Sequence, residues 1–257
     1  MPFTPSHAVV ALPFVRTRLV PAAVAVGAMT PDLPLFVRGM VPDYTMTHNP
    51  MWLPVTTIVA FGLLLVWRCA LRPAARELAP LPVAARLPEQ WDAGASAALR
   101  ETIGAGASAR VWLVVSLVLG VATHIAWDLL THEGRAGVRL FPVLEQSWGP
   151  LPAVKWLQHA SSAFGLLVIF VFAVVWLVRR SPTPIVRSVP GVVRVVWWIS
   201  LPCALLLASG LALAVSGGFD ADFTPTHVIY GVLTKVATAW AVATVALALV
   251  IQVRRRR

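Results

Sequence analysis

The chain has 257 residues, of which 58% are hydrophobic and 12% charged, with a formal net charge of +10 and a mean hydropathy of +0.77. A soluble domain carries about a quarter charged residues, so these figures exclude an ordinary soluble fold. Nucleic acid is excluded as the reason for the positive balance, because the arginines stand at the ends of long apolar runs, as the positive-inside rule expects.

The first fifty residues hold two short apolar pieces, His7 to Val15 and Leu19 to Met29. Arg16 and Arg18 lie between them, and Pro13 and Pro21 interrupt them. Pieces of about ten residues are too short for a hydrocarbon core of about 30 Å. A re-entrant or interfacial helical hairpin, covered by other helices, is expected here. Two very short spans are the alternative. The opening Met1 to Val10 has neither a basic n-region nor a small-residue cleavage site, so the first span is expected to act as its own insertion signal.

Five later runs are long enough to cross a bilayer: Met51 to Trp67, Val111 to about Leu130, Ala160 to Val178, Val195 to Val215 and Val228 to Val253. The expected fold is therefore an all-α membrane protein, a bundle of about five transmembrane helices plus the N-terminal hairpin. Residues 1–257 are read as one integral membrane domain. Within it, residues 1–50 form an N-terminal metal-site segment and residues 72–110 a solvated linker with one short helix near Pro88 to Arg100. Trp52, Trp148, Trp156, Trp197 and Trp198 fall near span ends, where an aromatic belt is expected. Cys69 and Cys203 have no CxxC spacing and read as apolar packing residues.

The basic residues set the expected orientation. Five arginines lie in Arg72 to Arg110, four in Arg179 to Arg194 with no acid, and four in Arg254 to Arg257. The loop from Gly217 to His227 has no Lys or Arg but has Asp220 and Asp222. The two arginine-rich loops and the C-terminus are thus expected in the cytoplasm, the protein lying as a multi-pass chain in a bacterial inner membrane. All six histidines, His7, His48, His124, His132, His159 and His227, then fall at or near the outer face.

The sharpest chemical pattern is His124-Ile-Ala-Trp-Asp128-Leu-Leu-Thr-His132. Residues four apart share a helix face. Over eight residues a helix turns through about 800°, so His124 and His132 differ by about 80° with Asp128 between them. His124 lies about 21 Å along the helix from Arg110, a few ångströms below the outer surface. Ionisable groups at that depth are costly and usually functional. Imidazole and carboxylate at i, i+4 make a good pair of metal ligands; a polar helix end with Asp128 capping or pairing is the plainer alternative. Thr30-Pro31-Asp32 reads by itself as a turn or cap. His159 and His227 open spans as ligands or as interfacial anchors. Lys235 is expected to snorkel or to pair with Asp128.

The order of His7 near the start, Pro31-Asp32, Thr47-His48 and His124-x-x-x-Asp128-x-x-x-His132 resembles the membrane-bound metal-dependent hydrolases, and in turn zinc-dependent phospholipase C. The opening Met1-Pro-Phe-Thr-Pro-Ser-His7-Ala looks most like a bacterial membrane family known as domain of unknown function 4184. The resemblance implies that His7, Asp32, His48, His124 and Asp128 are metal ligands, with His132 a further candidate. It also implies Asp32 and His132 as catalytic groups and a divalent metal; imidazole with carboxylate favours zinc, with manganese or iron the alternatives if two metals bind. Where the related hydrolases have Pro-Asp-x-Asp, this chain has Leu33-Pro34 after Asp32. Where they have Arg-Gly-x-Thr-His, it has Tyr44-Thr45-Met46 before Thr47-His48. The implied partners are membrane lipids and a phosphoester or lipid-headgroup substrate, with no nucleic acid. A non-catalytic membrane protein with a structural metal, or a metal transporter, are the rival readings. The third and fourth spans lack ionisable residues, which counts against a transport path.

Overall fold

A computed structural model describes residues 3–104, 106–220 and 223–255. Asp222 and the last two tail arginines, used above for orientation, lie outside the described residues, as do Met1 and Pro2 of the opening motif. The fold is helical. Among the described residues the only strands are the two-residue pair Ser147–Trp148 and Leu151–Pro152, which run antiparallel. Five helices are long and apolar enough to cross a membrane: Pro50–Leu78, Gly106–Thr131, Ala153–Val178, Gly191–Ser216 and Pro225–Arg255. They are called the first to fifth spans below.

Each span runs beyond the apolar stretch that marks it in the sequence. The difference is largest in the first, which continues past Trp67 to Leu78. The added turns carry Arg68, Arg72 and Arg76, and each finds an acidic partner: Glu101 for the first two and Asp92 for the third. A helix can outrun its apolar segment when its charged side chains are paired. Part of the stretch read as solvated linker is therefore helical and buried, since Arg72, Arg76 and Glu77 are all buried. The short helix expected near Pro88 to Arg100 is a tight 3₁₀ turn over Glu89–Ala93 followed by a helix over Gly94–Ile103.

By packing, the chain divides into two compact units. The first comprises Met1–Pro34, Met40–Leu64 and Ile103–Arg179, and the second Leu35–Gly39, Leu65–Thr102 and Arg180–Arg257.

In the first unit, the N-terminal hairpin takes shape as a 3₁₀ helix over Thr4–Phe14 and an α-helix over Pro21–Met29. Neither is among the five helices of spanning length. Pro21 opens the α-helix at a position where a missing N–H costs nothing. The Val20 N–H is satisfied instead by the Ser116 hydroxyl on the second span, 2.9 Å away. The Pro21–Met29 helix then lies against the second span at backbone contact. A Cβ on Gly27 would fall 2.5 Å from the Leu117 carbonyl oxygen, and one on Gly120 would collide with the Val24 carbonyl oxygen. Only glycine at both positions permits this approach. On the third span, Gly165 likewise lets the Ser6 backbone come close.

In the second unit, Ala74, Leu78, Val189, Ala248 and Ile251 form a buried apolar cluster. Trp197 packs on Trp240 with ring centres 5.0 Å apart. The Gln252 amide group donates to the Cys69 carbonyl and accepts from the Ala95 N–H.

Candidate metal centre

Four segments of the first unit bring side chains to one buried cluster: Thr4–Phe14, the Thr30–Asp32 turn, the one-turn helix Tyr44–Thr47 and the second span. Asp43 caps the Tyr44–Thr47 helix by accepting from the Met46 N–H at 2.8 Å. The Thr47 hydroxyl ties it to the Pro31 carbonyl at 2.7 Å. That bond sets His48, the residue ending the helix, beside Asp32. Asp128 lies one turn after His124 on the second span, as the sequence register predicts.

Asp32, His48, His124 and Asp128 are all buried, and one ligand atom from each lies within 4.8 Å of every other. His48 Nε2 is 3.1 Å from His124 Nε2. Asp128 Oδ2 is 3.3 Å from the first and 3.5 Å from the second. Asp32 Oδ1 is 3.8 Å and 3.7 Å from the same two nitrogens. Ligands at about 2.0–2.1 Å around a tetrahedral ion stand about 3.3–3.4 Å apart, close to these separations.

The protons argue the same way. His124 Nδ1 is 2.7 Å from the Ala28 carbonyl oxygen, and His48 Nδ1 is 2.9 Å from the Tyr44 carbonyl oxygen. A carbonyl oxygen only accepts, so both Nδ1 atoms carry the hydrogen and both neutral rings aim an Nε2 lone pair inward. Two lone pairs 3.1 Å apart repel unless something positive sits with them. A shared proton would leave two buried carboxylates with one positive charge, whereas a divalent cation balances both. Asp32 Oδ1 and both Asp128 carboxylate oxygens accept no hydrogen bond, although buried. Buried polar atoms without partners are rare, and here they converge. Asp32 Oδ2 is held separately by the Thr4 hydroxyl at 2.7 Å.

Two more histidines flank the quartet. The His7 ring stacks on His124 with centres 4.1 Å apart, and its Nε2 is 3.8 Å from Asp128 Oδ1. That nitrogen is buried and has no hydrogen-bond partner. His132 is half-buried at the rim, with Nδ1 3.4 Å from Asp128 Oδ2. Burial pushes His7 down to about 3 and His132 down to about 4, so both are neutral imidazoles at neutral pH. Burial also raises the Asp32 carboxyl above its ordinary value.

The chain matches, over residues 1–253, the family described as Domain of unknown function (DUF4184). It belongs to that family. No curated protein and no solved structure matches it.

In this DUF4184 chain the structure gathers Asp32, His48, His124 and Asp128 into one group and places His7 and His132 against it. The other two histidines stand apart from the group. His159 is exposed on the third span, and His227 is exposed with its ring bonded to Thr224 at the start of the fifth. Lys235 is also exposed, and among the described residues it forms no ion pair, while the ion pairs of Asp128 are all with histidines. Sequence reasoning missed Thr4, which holds Asp32, and the carbonyls of Ala28 and Tyr44, which fix the two ring orientations. Thr4 lies within the motif around His7 and carried a usable signal. A backbone carbonyl carries none.

Proposed function

We propose that the cluster is the divalent-metal centre of a membrane-bound hydrolase acting on a phosphoester or lipid headgroup. The observation that carries this is the pair of inward-facing Nε2 atoms at 3.1 Å with buried, unpartnered carboxylate oxygens beside them. His48 and His124 would bind through Nε2, held in orientation by the Tyr44 and Ala28 carbonyls. Asp32 and Asp128 would supply the charge, with His7 completing the set beside Asp128. Two imidazoles with two carboxylates favour zinc. When bound, such an ion lowers the pKa of its water and polarises a phosphoryl oxygen. Asp32, oriented by Thr4, and His132, neutral at the rim with Nε2 unpartnered, are the groups placed to hold and move the proton.

The test is metal analysis of detergent-purified protein beside a panel of phosphoester and phospholipid substrates. His124→Ala and Asp128→Ala are expected to lower bound metal about tenfold or more, since loss of supporting groups alone reaches about 10–100-fold. Equal metal in wild type and both variants would refute the site.

The site is read as facing outward from a bacterial inner membrane, with the C-terminus cytoplasmic, on the strength of the arginine distribution. A reporter fused after Arg257 should be active in the cytoplasm, and one in the 217–222 loop outside it. The reverse result would put the cluster at the inner face.

A specific observation favours a second reading. Four buried protein ligands can fill a tetrahedral shell, which is the habit of structural zinc. The metal would then staple the Thr30–Asp32 and Tyr44–Thr47 turns to the second span. In that case a chelator would lower the unfolding temperature steeply and no substrate on the panel would be hydrolysed.

A further inference from the structure

The first unit has a second feature that touches the cluster. A cavity of about 490 Å³ lies between the Thr4–Phe14 segment, the second span and the third span. Its walls are almost wholly apolar and include Val10, Ala126, Trp127, Leu130 and Phe164. It extends at least from Thr123 to Leu130, about 10 Å along the second span. His7 forms part of its wall, and the same ring stacks on His124 and reaches toward Asp128. A wider cavity of about 540 Å³ between the first and second spans meets none of the cluster residues.

The geometry points to this groove as the seat of an acyl chain, which presents the polar linkage of a membrane lipid to the metal centre at His7. The inference rests on the metal-centre reading and adds the substrate's shape to it. The reason is chemical match. Two of its three walls are helices apolar enough to lie in hydrocarbon, so a hydrocarbon chain enters without desolvation cost. The volume lies within the usual range of about 300–1,000 Å³ for small-molecule sites. The polar groups along it are few, and the only titratable one is His7, whose buried Nε2 has no partner. A water-soluble phosphoester would need polar walls that the groove lacks. An ester linkage at the end of an acyl chain meets His7, where the metal ligands begin.

The test uses the full chain reconstituted in vesicles that contain phosphatidylglycerol with a photoactivatable diazirine in mid-acyl chain. Crosslinks are mapped by peptide mass spectrometry. Val10, half-buried in the groove, should label about tenfold above Val168, half-buried on the third span outside it. Ala126→Trp fills the groove from an exposed position and should cut labelling at Val10 about tenfold, the equivalent of excluding about two methylene groups. Leu130→Trp is a second plug in case the first disturbs folding, and retained metal content reports an intact fold. His124→Ala should strip the metal and leave labelling in place. Equal labelling at Val10 and Val168, or labelling at Val10 indifferent to both plugs, overturns the groove. Groove-specific labelling in a wild-type protein that holds no metal overturns the metal centre and leaves the acyl site standing.

Discussion

Both compact units bury carboxylates, and they treat them in opposite ways. In the second unit, Glu77 is fully buried and accepts five hydrogen bonds. They come from the Ser188 N–H and hydroxyl, the Val189 N–H, Arg194 and Arg255. In the first unit, Asp128 is as deeply set, yet neither carboxylate oxygen accepts a hydrogen bond. A saturated buried charge is a structural joint, because every lone pair is already occupied. An unsaturated one, facing other unsaturated atoms, keeps its capacity for something that arrives later. The contrast separates architecture from chemistry within a single chain.

The largest effect should come from breaking the saturated joint. Glu77→Ala leaves Arg194 and Arg255 without their shared partner, and removing one member of a buried pair costs about 3–5 kcal/mol. Thermal or denaturant unfolding in detergent should show that loss with metal content per folded protein unchanged. A loss under about 1 kcal/mol would mean that Glu77 is less tightly locked than its hydrogen bonds imply.

The same measurement on the unsaturated cluster should give a smaller loss. In chelated protein, His124→Ala removes one of two facing lone pairs. It also opens a cavity, for which loss of a large buried side chain costs about 2–5 kcal/mol. Relief of repulsion should offset part of that, so the loss should be smaller than for Glu77→Ala. With metal present, the variant should fall behind wild type by a wider margin, because only wild type gains binding energy. The same deficit with and without chelator would show that the cluster is already satisfied.

The smallest effect is expected at Glu101, which pairs with Arg72 and Arg68 but whose side chain is 52% exposed. The hydrogen bond from Arg72 holds the Glu101 carboxyl below its ordinary 4.5. A carboxyl lowered in the folded state stabilises above its unfolded value, and that contribution is lost as pH falls through the folded value. Glu101→Gln should therefore cost at most about 1 kcal/mol at neutral pH, and the gap to wild type should close as pH falls below the ordinary 4.5 and through the lowered folded value. A constant gap through that range would assign the effect to something other than charge.

Much of the fold could be read in advance, for a physical reason. Apolar length alone drives a span into the bilayer, and apolar length is written locally in the sequence. The ends could not be read so well. Arg76 meets Asp92 and Glu77 meets Arg194 across 16 and 117 residues, and nothing local to the linker announces such partners. The site divides in the same way. His124, Asp128 and His132 follow from helical register, since all three lie on one helix or at its end. Asp32, His48 and His7 come from three separate segments, and only the order of motifs in a resembling family joined them. The quartet's orientation depends on Ala28 and Tyr44 through carbonyls that every residue possesses.

The contact between Gly27 and Gly120 has a consequence for synthesis. The Pro21–Met29 helix is too short to hold itself across a bilayer, and its docking surface lies on the second span, roughly ninety residues downstream. While the ribosome is still making the first span, that surface does not exist and half of the cluster has not been translated. The N-terminal hairpin cannot make this contact until Gly120 has been made. The cluster is therefore completed late in biogenesis, and an ion that needs all four side chains is captured only after the second span has been made.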